Sequence, residues 1–213
     1  MGSWGNLPVS PDPFHLSAVA DERLRRWLEA LVDTPGLTSL TGEEARHVHL
    51  DESLAAADVV RQFEGPIVDV GSGGGAPGIP LAVVLPERQV TLLESNRRKC
   101  AFLERWAREL PNVSVVCGRA EEQPVDNWSI AVAKALASPP VAAEWCLPLV
   151  KPGGSAILFA GPSAEPERVA RVAEQLAAEL AESPAGLLVL RKLRPTPEGF
   201  PRRPGLARKR PLA

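Results

Sequence analysis

The chain has 213 residues, 45% of them apolar, which suits one globular domain with a small extension rather than two full domains. No apolar run reaches the length of a membrane-spanning helix, and the first 13 residues lack the basic-then-apolar pattern of a secretory signal. We therefore expect a cytoplasmic protein without membrane association, and a flexible tail over residues 1–13.

Charge is unevenly distributed although the net charge is only −2. Residues 191–213 carry eight Lys/Arg against one acidic residue, Glu198. Such a basic terminus predicts either contact with nucleic acid or a solvated tail that aids solubility. Cys100, Cys117 and Cys146 form no C-x-x-C pair, so we expect neither a disulfide framework nor a zinc site, and a reducing compartment.

The N-terminal part of the chain has helical periodicity. Residues 14–33 place Leu24, Trp27, Leu28 and Leu31 at helical spacing. A second helix is predicted at about 43–63, with Leu50, Leu54, Ala57 and Val60 on one side. Together they predict a helical extension over residues 14–64.

From residue 67 onward, short apolar runs alternate with helical stretches. Strands are predicted at 67–70, 89–94, 113–117, 129–133, 155–159 and 186–193, with "KPGG" (151–154) as the turn into the fifth. Helices are predicted at 78–85, 97–110, 139–149 and 165–182. Fully apolar strands alternating with helices indicate an α/β domain over 65–193, with a doubly wound, mostly parallel sheet. Residues 194–213 would then form a basic C-terminal tail.

A glycine-rich loop follows the first predicted strand. "DVGSGGG" (69–75) reads D-x-G-x-G-x-G, a pattern of S-adenosylmethionine-dependent methyltransferases. Gly71, Gly73 and Gly75 would let backbone approach a ligand, and Asp69 would attract the ammonium of its methionine half. A second frame, beginning at Gly73, gives G-x-G-x-x-G and would favour a nicotinamide-dependent oxidoreductase, although it starts two residues late relative to the strand.

Glu94 ends the second predicted strand, about twenty residues after the loop. A carboxylate at this place can accept hydrogen bonds from both hydroxyls of a ribose. The alternative is a solvated acid at a strand end.

The segments "DVGSGGGAPGIPLAVVLPERQVTLLES", "HVHLDESL" (47–54) and "RPTPEGFPRRPGLARKRPL" (194–212) resemble the ribosomal RNA small subunit methyltransferase G family, also called glucose-inhibited division protein B. The resemblance covers about residues 37–212. It implies a monomeric, Rossmann-like class I methyltransferase that uses S-adenosylmethionine to methylate N7 of a guanine in 16S rRNA of the small ribosomal subunit. It also implies that Gly71 and Ala76 line the cofactor loop, that Ala120 and Glu121 bracket the adenine, and that Lys134 lies near both cofactor and target base.

The sequence departs from the family pattern in three places, and these bear on recognition of the rRNA target more than on binding of the cofactor. Lys134 stands where the family has arginine, which exchanges a planar fork of donors for a single ammonium. Ala160 stands where a lysine is expected. The predicted helix 165–182 leaves no room for the family's penultimate strand, and the Glu-Arg that opens its last strand is missing.

Methylation of guanine N7 needs no general base, because the N7 lone pair is already free. Positioning can therefore supply most of the rate enhancement, and Lys134 is the candidate catalytic residue that orients the target. Its alternative is a strand-end lysine reaching solvent. His47 and His49 become candidate bases only for O-methylation, and we expect no metal site. The alternatives kept open are another RNA site, a small-molecule substrate, and a non-catalytic RNA-binding protein.

Overall fold

The computed structural model describes residues 16–161 and 164–213; the predicted tail 1–13 lies outside them. The first helix, α1, spans Ala18–Asp33 and begins where the Ser17 hydroxyl accepts a hydrogen bond from the Ala20 N–H. It buries three of the four predicted apolar residues, Leu24, Trp27 and Leu31, and leaves Leu28 half-buried.

The second predicted helix is interrupted. It consists of α2 (Gly42–Arg46), a π-helical turn (His47–Asp51), α3 (Glu52–Ala55) and α4 (Ala57–Val60). A π-helical turn accommodates one extra residue and is often found at functional sites. Leu50, Leu54 and Val60 stay buried across the interruptions. The apolar periodicity therefore predicted the buried face correctly, although the helix is not continuous.

Seven strands form one sheet in the order β3-β2-β1-β4-β5-β7-β6. Strands β1 to β5 are parallel, and β7 runs antiparallel to both β5 and β6. The predicted doubly wound, mostly parallel α/β fold is therefore confirmed. The seven strands are β1 Ile67–Val70, β2 Val90–Glu94, β3 Val113–Cys117, β4 Trp128–Ala133, β5 Val150–Phe159, β6 Ala178–Ala181 and β7 Leu187–Lys192.

Helices cover both faces of this sheet. One core joins α1, α5 (Gly78–Val84) and α6 (Arg97–Ala107) to one face, and a second joins α7 (Pro139–Cys146) and α8 (Pro166–Gln175) to the other. Shorter elements are the 3₁₀ turns Ala120–Glu122 and Leu147–Leu149 and the last helix, α9 (Leu206–Lys209). The N-terminal extension shares the first core with the sheet, and the boundary predicted at residues 64 and 65 stays a prediction.

The expectation that the penultimate strand is missing was wrong. The predicted helix 165–182 ends at Gln175, Ala177 takes a left-handed backbone conformation (φ 57°), and β6 begins at Ala178. Alanine-rich sequence favours a helix locally, but pairing with β7 and burial of Ala178 override that preference. "KPGG" is likewise inside β5 rather than a turn before it, at a register shift against β4.

The expectation of three free cysteines was also wrong. Cys100, in the first turn of α6, and Cys117, the last residue of β3, form a disulfide with Cα atoms 5.9 Å apart. The crossover through α6 brings the start of the helix beside the end of β3, and the spacing of 17 residues gave no signal of this. Cys146 remains a buried free thiol.

No helix within residues 16–161 and 164–213 combines the length and the apolar character needed to cross a bilayer.

Candidate cofactor and target site

The glycine loop joins β1 to α5 at the carboxyl edge of the parallel strands, where α/β sheets bind nucleotides. The Gly71 and Ser72 amides donate to the Leu93 carbonyl at 2.8 and 3.1 Å, which holds the loop on β2. Gly71 has φ +72°, and a Cβ there would lie 2.3 Å from Leu136 Cδ1. Glycine is favoured at this position by its backbone conformation, and a side chain there would also displace the end of Leu136.

Gly73 differs from Gly71 because it faces open space. Its φ is +58°, and a Cβ at this position would have the Gly71 carbonyl oxygen as its nearest neighbour, at 3.8 Å. The Gly73 amide donates to Glu94 Oε2 at 2.9 Å, while Oε1 accepts from the Asn96 amide at 2.7 Å. The loop and the predicted ribose-binding acid therefore touch. Gly75 turns the chain into α5 with φ +103°, and half-buried Ala76 follows it.

Asp69 lies behind the loop. Its carboxylate is fully buried; Oδ2 accepts from the Gly78 amide at 3.0 Å, and Oδ1 has no hydrogen-bond partner among the described residues. Burial raises the pKa of Asp69 to about 7, opposed by the hydrogen bond from the Gly78 amide and by the nearby Ser72 hydroxyl, with the Glu94 carboxylate raising it further. Asp69 supports the first turn of α5 here, and a contact with a ligand's ammonium stays a prediction.

A cavity of about 250 Å³ opens beside the loop. It brings together three of the predicted site residues, Gly71, Ala120 and Glu121, while Glu94 sits between two of its lining residues, Leu93 and Ser95. Other lining residues come from the end of β1 (Val70), from the segment after β3 (Gly118 and Arg119), from the loop after β4 (Leu136), from α7 (Trp145) and from the C-terminal segment (Gly205 and Arg208).

This cavity fits the nucleoside half of S-adenosylmethionine. One end is lined by the loop glycine Gly71, and Glu94, a carboxylate that accepts hydrogen bonds, lies between the lining residues Leu93 and Ser95. The other end is formed by residues after β3, Ala120 and Glu121, which suit a flat base. When bound, this cofactor supplies an electrophilic methyl group.

Lys134 follows β4 and lies at a second cavity, of about 460 Å³. Its ammonium pairs with Glu52 at 2.8 Å and donates to the Val48 carbonyl, and it lies 5.9 Å from the centroid of the Phe159 ring. The Lys134 side chain is only 9% exposed, so the alternative of a strand-end lysine reaching solvent is wrong. Glu52, Ala135, Phe159 and Ala160 also line this cavity.

The two cavities lie on either side of one short loop. Lys134 and Ala135 face the second cavity, whereas Leu136, the next residue, faces the first. The loop Lys134–Leu136 therefore contributes residues to the walls of both cavities.

His47 and His49 lie on the π-helical turn next to Lys134. His49 Nε2 is 2.8 Å from the Thr38 hydroxyl, and burial together with the Lys134 ammonium lowers the pKa of His49 despite the opposing charge of Glu52. His47 is exposed, 4.0 Å from Asp51 and Glu52. Within the described residues no three His, Cys, Asp or Glu side chains are grouped to hold a metal ion.

Sequence reasoning missed Trp145, Gly205 and Arg208. Each is brought to the first cavity by tertiary packing, and only the basic character of residues 191–213 marked that segment as unusual. Glu52 was also missed, because it lies far from Lys134 along the chain and only the finished fold pairs the two.

Comparisons with known proteins agree on one family. The family described as rRNA small subunit methyltransferase G matches residues 22–184. Proteins named ribosomal RNA small subunit methyltransferase G are 36% identical in Carboxydothermus hydrogenoformans, covering 90% of each chain, and 38% identical in Thermotoga neapolitana, covering 90% of this chain and 91% of the relative.

Solved structures show the same fold at low identity. A branched-chain polyamine synthase mutein from Thermus thermophilus aligns with a TM-score of 0.63 at 15% identity, covering 85% of this chain and 66% of that one. An O-methyltransferase from neocarzinostatin biosynthesis, in complex with S-adenosylmethionine, aligns with a TM-score of 0.52 at 13% identity, covering 67% and 57%.

The chain therefore belongs to the rRNA small subunit methyltransferase G family and is an S-adenosylmethionine-dependent methyltransferase with a Rossmann-like class I fold. The oxidoreductase interpretation of the second glycine frame is not favoured by these matches.

Proposed function

We propose that this member of the family methylates N7 of a guanine in 16S rRNA of the small ribosomal subunit. The observation that carries the proposal is the pair of cavities separated by the loop Lys134–Leu136. The first supplies a place for the methyl donor, and the second supplies a place for the base.

In the first cavity, Gly71, Gly73, Gly75 and Ala76 form the loop that admits the donor. Glu94 accepts hydrogen bonds from the ribose hydroxyls, giving up its present bond from the Gly73 amide. Ala120 and Glu121 bracket the adenine. Three of these residues, Gly71, Ala120 and Glu121, line the cavity, and Glu94 lies between the lining residues Leu93 and Ser95.

The second cavity has the features of a pocket for an extruded base. Phe159 offers an aromatic face for stacking, and enzymes that act on a base commonly hold it by stacking and by hydrogen bonds to its Watson–Crick edge. Glu52 and Lys134 lie side by side at 2.8 Å and present an acceptor next to a donor. Guanine presents the complement: N1–H and N2–H donors beside the O6 acceptor.

Chemistry at N7 needs positioning more than proton transfer. The N7 lone pair attacks the methyl carbon in line with the departing sulfur, and no proton leaves the nucleophile. Lys134, held by Glu52 and the Val48 carbonyl, would donate to O6 and so fix the orientation of the ring. His49 and His47 have no role in this reaction.

Replacing Lys134 tests its part in the reaction. We expect Lys134→Ala to lower kcat on rRNA by about 100-fold, in the range of lost orientation or lost electrostatic stabilisation, because the base would no longer be fixed. Affinity for S-adenosylhomocysteine, measured by calorimetry, should stay within about twofold of wild type because Lys134 does not line the first cavity. Lys151→Ala, which changes an exposed lysine, is the matched control; equal rates for both variants would remove Lys134 from the mechanism.

Contacts with RNA phosphates are proposed for the exposed cations of the C-terminal segment. Among the described residues no carboxylate pairs with Arg203, Lys209 or Arg210, so these charges are free for an anion. A cytoplasmic, monomeric enzyme is proposed on the family resemblance.

The function is tested by mass spectrometry of 16S rRNA from cells with and without this protein. We expect one 7-methylguanine to disappear with the gene, and purified protein to restore it on small subunits from the deleted strain. Methyl transfer to another nucleotide or to a small molecule, with rRNA unmodified, would contradict the proposal.

A further inference from the structure

The C-terminal segment, residues 194–213, packs on the domain beside the first cavity. Its start is fixed by Thr196, whose amide and hydroxyl donate to Asp126. Lys192, almost fully buried at the end of β7, donates to Thr196 and to the Leu147 carbonyl. The segment is therefore tied down from its first residues, which excludes the description of it as a solvated tail.

A buried ion pair anchors the middle of the segment. Arg202 donates through Nε and Nη2 to the two oxygens of Glu144, each at 2.5 Å. The side chains are 19% and 3% exposed. A bidentate pair of this kind fixes direction as well as distance. Because Glu144 lies in α7, next to Trp145, the segment is held in register with one wall of the cavity.

Beyond this anchor the segment contacts residues that line the cavity. The Gly205 amide donates to Glu121 Oε1 at 3.0 Å, and Arg208 Nη2 donates to the Leu136 carbonyl at 3.3 Å. The Arg208 guanidinium lies 5.1 Å from the centroid of the Trp145 ring. Gly205 and Arg208 themselves line the cavity, as does Glu121, the hydrogen-bond partner of Gly205.

Two features of this wall indicate that it is completed by a ligand. Arg208 makes one long hydrogen bond and no ion pair among the described residues, leaving most of its five donors unused. The buried Trp145 Nε1 has no acceptor in the described part of the chain. An unpaired buried donor is costly, so an acceptor supplied nearby would be favourable.

We propose that residues 202–213 are a wall of the S-adenosylmethionine site and that Arg208 binds the nucleoside half of the cofactor. The planar guanidinium can donate to ring nitrogens or ribose oxygens while it stays stacked near Trp145. This proposal depends on S-adenosylmethionine binding in the first cavity, and it does not depend on which base is methylated.

Calorimetric titration with S-adenosylhomocysteine tests this assignment in the full chain. Arg208→Ala should raise the dissociation constant about tenfold, the effect of one charged hydrogen bond. Arg203→Ala is the matched control, since it removes the same charge from an exposed position of the same segment, and should change the constant less than about twofold. Arg202→Ala should also weaken binding, although Arg202 does not line the cavity, because the wall loses its anchor.

An unchanged dissociation constant for Arg208→Ala overturns the proposal, and so does an equal loss for Arg208→Ala and Arg203→Ala. Arg208 is exposed, so its variant should keep the thermal unfolding temperature of wild type, and the comparison with Arg203→Ala stands even if Arg202→Ala does not fold. Failure to methylate guanine N7 would leave these titrations unaffected, which separates the two proposals.

Discussion

The glycine loop and the C-terminal segment lie at the same cavity, yet they are built on different principles. The loop is held over shorter range: the Gly78 amide donates to Asp69, 9 positions away, and the Gly73 amide donates to Glu94, 21 positions away. The segment is assembled over long range, by Arg202 on Glu144 and Gly205 on Glu121, 58 and 84 positions apart. A local site shows in the sequence as a motif, whereas a wall made by distant packing leaves only a bias in composition.

The largest effect we expect is at Gly73. A valine there projects into the open space that the cofactor would occupy, because the nearest neighbour of its Cβ is the Gly71 carbonyl oxygen, at 3.8 Å. Gly73→Val should weaken binding of S-adenosylhomocysteine by more than about 100-fold in calorimetry.

The matched control for that variant is Gly36→Val. Gly36 also has positive φ (+82°) and open space around it, but it lies in the turn after α1, away from the cavity. Both variants bear a strain of about 1–2 kcal/mol in unfolding free energy. Equal cofactor affinity in Gly73→Val and Gly36→Val would contradict the assignment of the glycine loop as part of the cofactor site.

The anchor of the C-terminal segment should matter for stability. Arg202→Ala leaves the Glu144 carboxylate buried without its partner, so the free energy of unfolding in urea should fall by about 3 kcal/mol. Arg203→Ala, at an exposed neighbour, should change it by less than about 0.5 kcal/mol. A loss for Arg202→Ala no larger than that of Arg203→Ala would mean that the segment is not anchored as described.

Asp69 should make the free energy of unfolding depend on pH. Its folded pKa of about 7 lies above its ordinary value of 3.8, so between these values the folded state binds more protons than the unfolded state. The free energy of unfolding therefore falls as pH rises from about 4 to about 7, by at most about 1.4 kcal/mol per pH unit, and this contribution levels off above the folded pKa.

Asp69→Asn removes that contribution while its amide oxygen can still accept from the Gly78 amide. The stability of the variant relative to wild type should therefore rise between about pH 4 and about pH 7, measured by urea unfolding at several pH values. A difference that does not change with pH would show that Asp69 does not titrate in this range.

The same contrast explains how far sequence reasoning reached. The parallel strands, their helices and the motif at 69–75 could be predicted because apolar periodicity and glycine spacing are local. β6 was missed because the alanine-rich stretch after Gln175 favours a helix until Ala177 reverses the chain and β7 offers an edge. Two contacts depend on the finished fold and could not be predicted from residue spacing: the disulfide between Cys100 and Cys117, and the ion pair between Glu52 and Lys134.

A crystal structure with S-adenosylhomocysteine bound tests the central claim most directly. We predict the nucleoside between the glycine loop, Ala120 and Arg208, with both ribose hydroxyls donating to the Glu94 carboxylate. Ligand found in another cleft, or a Glu94 carboxylate still bonded to the Gly73 amide beside a bound ribose held by other groups, would contradict the account.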